Sequence, residues 1–244
     1  MNSTATLEPP YVPQAPDPEL QPDEPPRRWR TRTKVLIRVS AVAVMAGGVV
    51  VLDLVTDQRH HSSRQFAGTV NVVDVDMSSG SLRVIGTNDP VVTVDVTTHG
   101  GLRSADHSET VDGDHLRLRS DCGLDVLAPS CGVDFVVHVP RHVSLVAQGD
   151  GVSVDLSGIS GDADVSINGG DAHLQFVSSP HTVKARVNGG KIDVALPDDR
   201  TEYHVKARAE GGSTHVDVRT DPSADQLIDV KASGGSINVK YAKV

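Results

Sequence analysis

The chain has 244 residues, a formal net charge of −9, 38% hydrophobic residues, and only three Phe, three Tyr and one Trp. That acidic balance excludes a protein that tracks nucleic-acid phosphates, which needs a basic face, and the few aromatics leave no stacking platform. Any core must be built of Val, Ile, Leu and Ala in thin layers.

The first 26 residues hold eight of the fourteen prolines, from Pro9 to Pro26, and five carboxylates. Such a segment buries too little apolar surface to offset its ordering entropy, so residues 1–34 read as a disordered, proline-rich cytoplasmic tail. Its end is basic, with Arg27, Arg28, Arg30, Arg32 and Lys34. Residues 35–55 are then apolar except for Arg38, Ser40, Gly47, Gly48 and Asp53. A helix of that length spans about 30 Å of hydrocarbon, and the preceding cations orient it by the positive-inside rule. The expectation is a single-pass transmembrane helix with a cytoplasmic N-terminus and an extracytoplasmic remainder. A cleaved secretory signal is the competing reading, but its small-residue cleavage site should follow the run, and Ala41-Val42-Ala43 lies inside it. Residues 56–67 read as a polar juxtamembrane linker. Within it His60 and His61 point to opposite sides of an extended chain, a poor start for a metal site.

Cys122 and Cys131 are the only cysteines. Outside the cytoplasm a lone pair this close reads as a disulfide closing the loop CGLDVLAPSC, worth about 2–3 kcal/mol by chain entropy. A redox or metal pair is the alternative. It lacks Cys-x-x-Cys spacing, and two ligands do not fill a tetrahedral site.

The dominant feature of residues 68–244 is self-similarity. Glycine doublets recur at Gly169-Gly170, Gly189-Gly190, Gly211-Gly212 and Gly234-Gly235, spaced 20, 22 and 23 residues apart. Each precedes an alternating segment: DAHLQF, KIDVAL, STHVDV and SINVKY. The inward set is Ala172, Leu174, Phe176; Ile192, Val194, Leu196; Thr214, Val216, Val218; and Ile237, Val239, Tyr241. Period-two patterning of this kind marks strands with one buried face. A second alternating strand precedes each doublet and ends its inward row at Ile167, Val187, Ala209 or Ala232. The variable connections VSSPHT, PDDRTE and RTDPSADQ absorb the changes in length, as surface loops do. Weaker copies lie around Gly80, Gly149 and Gly161.

Two all-β architectures fit. In a β-solenoid each unit of 20–23 residues is one coil, with the glycine doublets as structural corners and inward residues stacked in columns. In an antiparallel meander, Asn168-Gly169 and Asn188-Gly189 are two-residue hairpin turns. Near-equal repeats with interchangeable apolar positions favour the solenoid. The units INGGDAHLQF, VNGGKIDVAL, AEGGSTHVDV and ASGGSINVKY also resemble a bacterial family of unknown function labelled putative adhesin. That resemblance implies a right-handed β-solenoid behind a single anchor helix, and brings no catalytic residues.

Enzyme chemistry finds little footing. Asp162 with Asp164, and Asp112 with Asp114, alternate as calcium ligands would, but neither stretch completes an EF-hand loop or the glycine-rich nonapeptide pattern. Outward Asp193 could approach His173 or His215 as an acid/base pair, although outward charges also serve any solvated sheet. Serine-nucleophile, phosphate-loop and dinucleotide motifs are absent. The sequence therefore points to a non-enzymatic membrane protein with no cofactor and no metal. It would present an acidic β-solenoid to an envelope polymer or protein partner for adhesion, with weak self-association through the final coil. The alternative is an envelope sensor signalling through its proline-rich tail.

Overall fold

The computed structural model describes residues 58–100, 105–122 and 131–242, and every regular element among them is a strand. In chain order these begin β1 (Gln58–Phe66), β2 (Val72–Met77), β3 (Gly80–Thr87), β4 (Val92–Gly100), β5 (Asp106–Asp112) and β6 (His115–Asp121). Then come β7 (Gly132–Pro140), β8 (Ser144–Asp150), β9 (Val152–Ile159), β10 (Ala163–Asn168), β11 (Ala172–Phe176) and β12 (Thr182–Asn188). The last five are β13 (Lys191–Leu196), β14 (His204–Glu210), β15 (Thr214–Asp217), β16 (Leu227–Ser233) and β17 (Ser236–Tyr241).

These strands make two sheets, one ordered β1-β4-β7-β3-β9-β11-β13-β17-β15 and the other β14-β16-β12-β10-β8-β2-β6-β5. β3 and β4 both lie in the first sheet and β5 and β6 in the second, but from β7 on the chain alternates, each glycine doublet carrying it from a strand of the second sheet to one of the first. Inward side chains from both sheets join one buried cluster. In the first sheet Val84, Leu156, Leu174, Val194, Val239 and Val216 share one register row. In the second, Val75, Ala147, Val165, Ala185, Val230 and Ala207 do the same. The larger row lies in one sheet and the Ala-rich row in the other, so a thin interior is filled without aromatics. Each fully buried Val, Leu or Ile contributes about 1.5–3 kcal/mol relative to exposure.

The expected strand positions hold closely in the last four units, but the expected architecture does not. A single spiral of coils stacked in chain order is overturned by the topology. β1 pairs antiparallel with β4, β4 with β7, and β5 with β6, and a continuous spiral has no place for antiparallel neighbours. Strand order is also non-sequential: β3 lies between β7 and β9, and β17 between β13 and β15. The unit that ends the chain is thus inserted between two earlier ones. The eight-residue connection RTDPSADQ after Val218 is long enough to return past β14, which a tight coil corner could not do. The hairpin alternative is also excluded, since β10 and β11 belong to different sheets.

Two further expectations change. The tail 1–34 and the helix 35–55 lie outside the described residues. Among the described residues there is no helix, and so none long and apolar enough to cross a membrane. The single-pass anchor and the placement built on it are accordingly withdrawn. Part of the expected linker, Gln58–Phe66, is the edge strand β1, paired along its length with β4.

Candidate interaction face

Because every second residue of a strand points outward, parallel in-register pairing turns the wet side of each sheet into rows of side chains about 4.8 Å apart. In the first sheet one row reads Arg83, Asp155, His173, Asp193, Asn238, His215 across six strands. Several neighbours along it are in contact. Arg83 Nε lies 3.7 Å from Asp155 Oδ2, and His173 Nδ1 lies 3.1 Å from Asp193 Oδ2. On its other side Asp193 accepts a 3.1 Å hydrogen bond from Asn238 Nδ2. The structure therefore joins His173 to Asp193 but leaves His215 two strands away, with Asn238 between.

The second sheet carries a matching amide row. Asn168 Nδ2 donates to Asp150 Oδ1 at 2.7 Å, and Asn188 Nδ2 donates to Asn168 Oδ1 at 2.6 Å. The adjacent row brings Arg186, Lys231 and Arg208 abreast, with Arg186 4.0 Å from Asp164 and Lys231 3.3 Å from Glu210. At the other end of this sheet lies an open depression of about 610 Å³ whose lining includes Asp76, Asp106, Arg119, Asp150, Ser166 and Asn168.

The aspartates weighed as calcium ligands each have a partner of their own. Asp162 accepts the backbone N–H groups of His181 and Thr182 at 3.0 and 2.8 Å, and Asp114 accepts from Asn71 Nδ2 at 2.9 Å. Asp164 faces Arg186, and Asp112 lies 3.2 Å from Arg117. His61 Nδ1 lies 3.3 Å from Thr97 Oγ1. Among the described residues no three His, Cys, Asp or Glu side chains converge to hold a metal ion.

Cys122 and Cys131 are joined by a disulfide with their Cα atoms 5.7 Å apart. The Cys122 N–H donates to Ser78 Oγ at 2.8 Å, which ties the loop's start to the turn after β2. Its interior, residues 123–130, lies outside the described residues. The doublets Gly169-Gly170, Gly189-Gly190, Gly211-Gly212 and Gly234-Gly235 form a second constellation. At Gly189 φ is +77°, a left-handed conformation, and a Cβ on Gly190 would run into the Gly170 carbonyl oxygen. The same conflict recurs at Gly235 against Gly190, and at Gly212 against Gly235. One glycine reverses the chain and the next lets adjacent turns touch.

Three polar clusters had no sequence motif. Partial burial would raise the Asp134 carboxyl, but hydrogen bonds from the Ser81 hydroxyl and His99, with the His99 charge and the Ser81 N–H, hold it below the ordinary carboxylate range. Asp199 is likewise depressed, its slight burial outweighed by the Ser179 hydroxyl and the Thr201 hydroxyl and N–H. Buried Tyr203, 2.8 Å from that same Ser179 hydroxyl, is pushed above its usual value chiefly by desolvation. The third is Glu109 on β5, whose side chain is 1% exposed and lies 3.5 Å from Arg64 Nε on β1. Alternation alone marks Glu109 as inward; its pairing with Arg64 required the fold.

No family model matches the chain, and no curated protein matches it. Solved structures do. A putative cell adhesion protein from Clostridium sporogenes aligns over 76% of this chain and 100% of its own, with 12% identity and a TM-score of 0.56. A putative adhesin from Bacteroides fragilis covers 74% of this chain and 97% of its own at 14% identity, TM-score 0.33. Another from Parabacteroides merdae covers 73% and 95% at 10% identity, TM-score 0.24. The first of these establishes a shared fold.

Proposed function

We propose that this chain is a non-enzymatic binding module of the adhesion type, engaging a repetitive polymer or protein along its outward polar rows. The carrying observation is the row Arg83, Asp155, His173, Asp193, Asn238, His215, in which donors and acceptors recur at strand spacing over six strands. A flat array of this sort favours many weak contacts in register, and avidity then multiplies modest affinities. Open depressions on the described surface suit a long partner better than an enclosed small molecule, which would be buried over most of its area. The fold shared with the putative cell adhesion protein from Clostridium sporogenes supports the same reading.

The test is binding of the purified full chain to immobilised cell-surface polysaccharide and protein fractions, with the soluble phase monitored for released fragments. Saturable binding without fragments is expected. The triple change His173→Ala, Asp193→Ala and Asn238→Ala should lower apparent affinity at least tenfold, since each lost polar contact is worth about 1 kcal/mol. Fragment release abolished by Asp193→Asn would overturn the proposal in favour of hydrolysis.

A further inference from the structure

The two ends of the paired sheets differ. At one end lie the edge strands β1 and β5, and there most inward positions are polar: Arg64, Ser62 and His60 share the face of buried Val94, Val96 and Thr98, Glu109 meets Arg64, and Phe66 and Val111 are the apolar members of those faces. Inward charge on an edge is a recognised device against further strand addition. At the other end lie β14 and β15, the last strands of the two sheets, and there the inward positions are apolar or small. Val205, Ala207, Ala209 and Val218 are only partly covered, and Val216 is 36% exposed. Between the strands runs an open groove of about 470 Å³, with Val205, Ala207, Val216 and Val218 in its lining.

Beside Tyr203, just before β14, the outer edge is taken by the same chain, since Tyr203 N–H donates to the Arg219 carbonyl and Asp221 N–H to the Tyr203 carbonyl; beyond that point no described strand pairs with the outer side of β14 or of β15. His204 N–H donates to the Gln226 carbonyl and Gly234 N–H donates to the Glu210 carbonyl, so even-numbered residues of β14 face β16, and Val205, Ala207 and Ala209 present their backbone groups outward. Ile237 N–H donates to the Ser213 carbonyl, so odd-numbered residues of β15 face β17, and Thr214 and Val216 present theirs. The exposed side chains beside these groups are of opposite sign: Lys206 and Arg208 on β14, Asp217 on β15. Among the described residues none of the three has an ion-pair partner.

We propose that this end is a homodimer interface in which a second copy, related by a two-fold axis parallel to the strands, lays its β15 antiparallel against β14 and its β14 against β15. The two strands run in opposite directions through the Gly211-Gly212 turn, so one rotation satisfies both edges. Free backbone groups of Ala207 and the partner copy's Val216 then meet, and that register sets Lys206 opposite Asp217 twice. Both sheets continue across the interface, and the half-covered valines close over one another. A contact of this kind is isologous and self-limiting, since the polar ends remain outermost. The inference stands independently of any ligand on the polar rows.

Sedimentation of the full chain from micromolar to millimolar concentration should show a reversible monomer–dimer equilibrium. Val216→Lys should weaken it at least tenfold while circular dichroism and melting temperature stay unchanged. Lys206→Glu and Asp217→Lys should each weaken self-association, yet an equimolar mixture of these two variants should form heterodimers, because both cross-pairs are then of opposite sign. The double variant K206E/D217K should dimerise like the parent. A chain that stays monomeric throughout, a dimer indifferent to Val216→Lys, or a mixture without heterodimers would overturn the proposal. Slow amide exchange at Ala207 and Val216 in dilute monomer would overturn it too, since another part of the same chain would then cover the edge.

Discussion

Asp134 shows how one side chain in this fold links stability to pH. Ser81 donates to it twice and His99 Nε2 lies 2.6 Å away, which together fasten β3, β4 and β7 at one point. Its carboxyl is depressed in the folded state, so its contribution is complete above the unfolded carboxylate value of about 3.9 and fades as pH falls through the lower, folded value. Acid titration followed by circular dichroism should show the parent losing stability below about pH 4, and Asp134→Asn should flatten that limb. At neutral pH the same change should cost about 1 kcal/mol, or about 2–4 °C in melting temperature. Glu109 offers the contrary case. Its carboxylate has no hydrogen-bond partner among the described residues and relies on Arg64. Thermal melts of Arg64→Ala should register a loss of about 1–3 kcal/mol, the cost of an unsatisfied buried polar group, and adding Glu109→Leu should restore most of it.

Among the elements, the turns carry the sharpest constraints. Adding a methyl group at Gly190 would drive a Cβ into the Gly170 carbonyl, so Gly190→Ala should destabilise by roughly 3 kcal/mol or more by denaturant titration, in the range of overpacked sites. Gly189→Ala meets no atom within 4 Å but keeps φ at +77°, and its cost should be only about 1–2 kcal/mol. Reducing the Cys122–Cys131 bridge should cost about 2–3 kcal/mol, read as a fall in denaturation midpoint. Much at this scale could be read from sequence. KIDVAL and SINVKY coincide with β13 and β17 to the residue, and Ile192, Val194, Leu196, Ile237 and Val239 are buried as alternation demands. Val218 and Tyr241 are only half-buried, and Thr214 and Val216 are exposed: the same pattern placed all four inward, but on an edge strand no described residue covers the last two.

At the scale of the whole molecule, periodicity could not order the units. Rows such as Val165, Ala185, Val230 and Ala207 are nearly interchangeable, so any unit packs acceptably on any other. The order is selected by features without a period: the eight-residue return after Val218, the Asp162 carboxylate held by the next turn's amides, and Asp171 accepting from Lys191 N–H at 2.8 Å. One hint was present, since beyond buried Tyr203 the unit of residues 203–218 has small inward residues at Ala207, Ala209 and Thr214, as suits the outermost place. The outward row of the candidate face was likewise half visible. Sequence brought Asp193 within sight of both histidines, and only register showed that His173 is its neighbour.

The interleaving of β16 and β17 between their predecessors has a consequence for how the protein is born. During synthesis β12 with β13, and β14 with β15, emerge while the strands that will separate them do not yet exist. The nascent chain must hold that gap open, or pair the wrong neighbours and later let go. A ribosome-stalled chain ending at Gln226 should therefore leave residues 203–218 sensitive to protease, with protection arriving only once residues 227–241 have been translated.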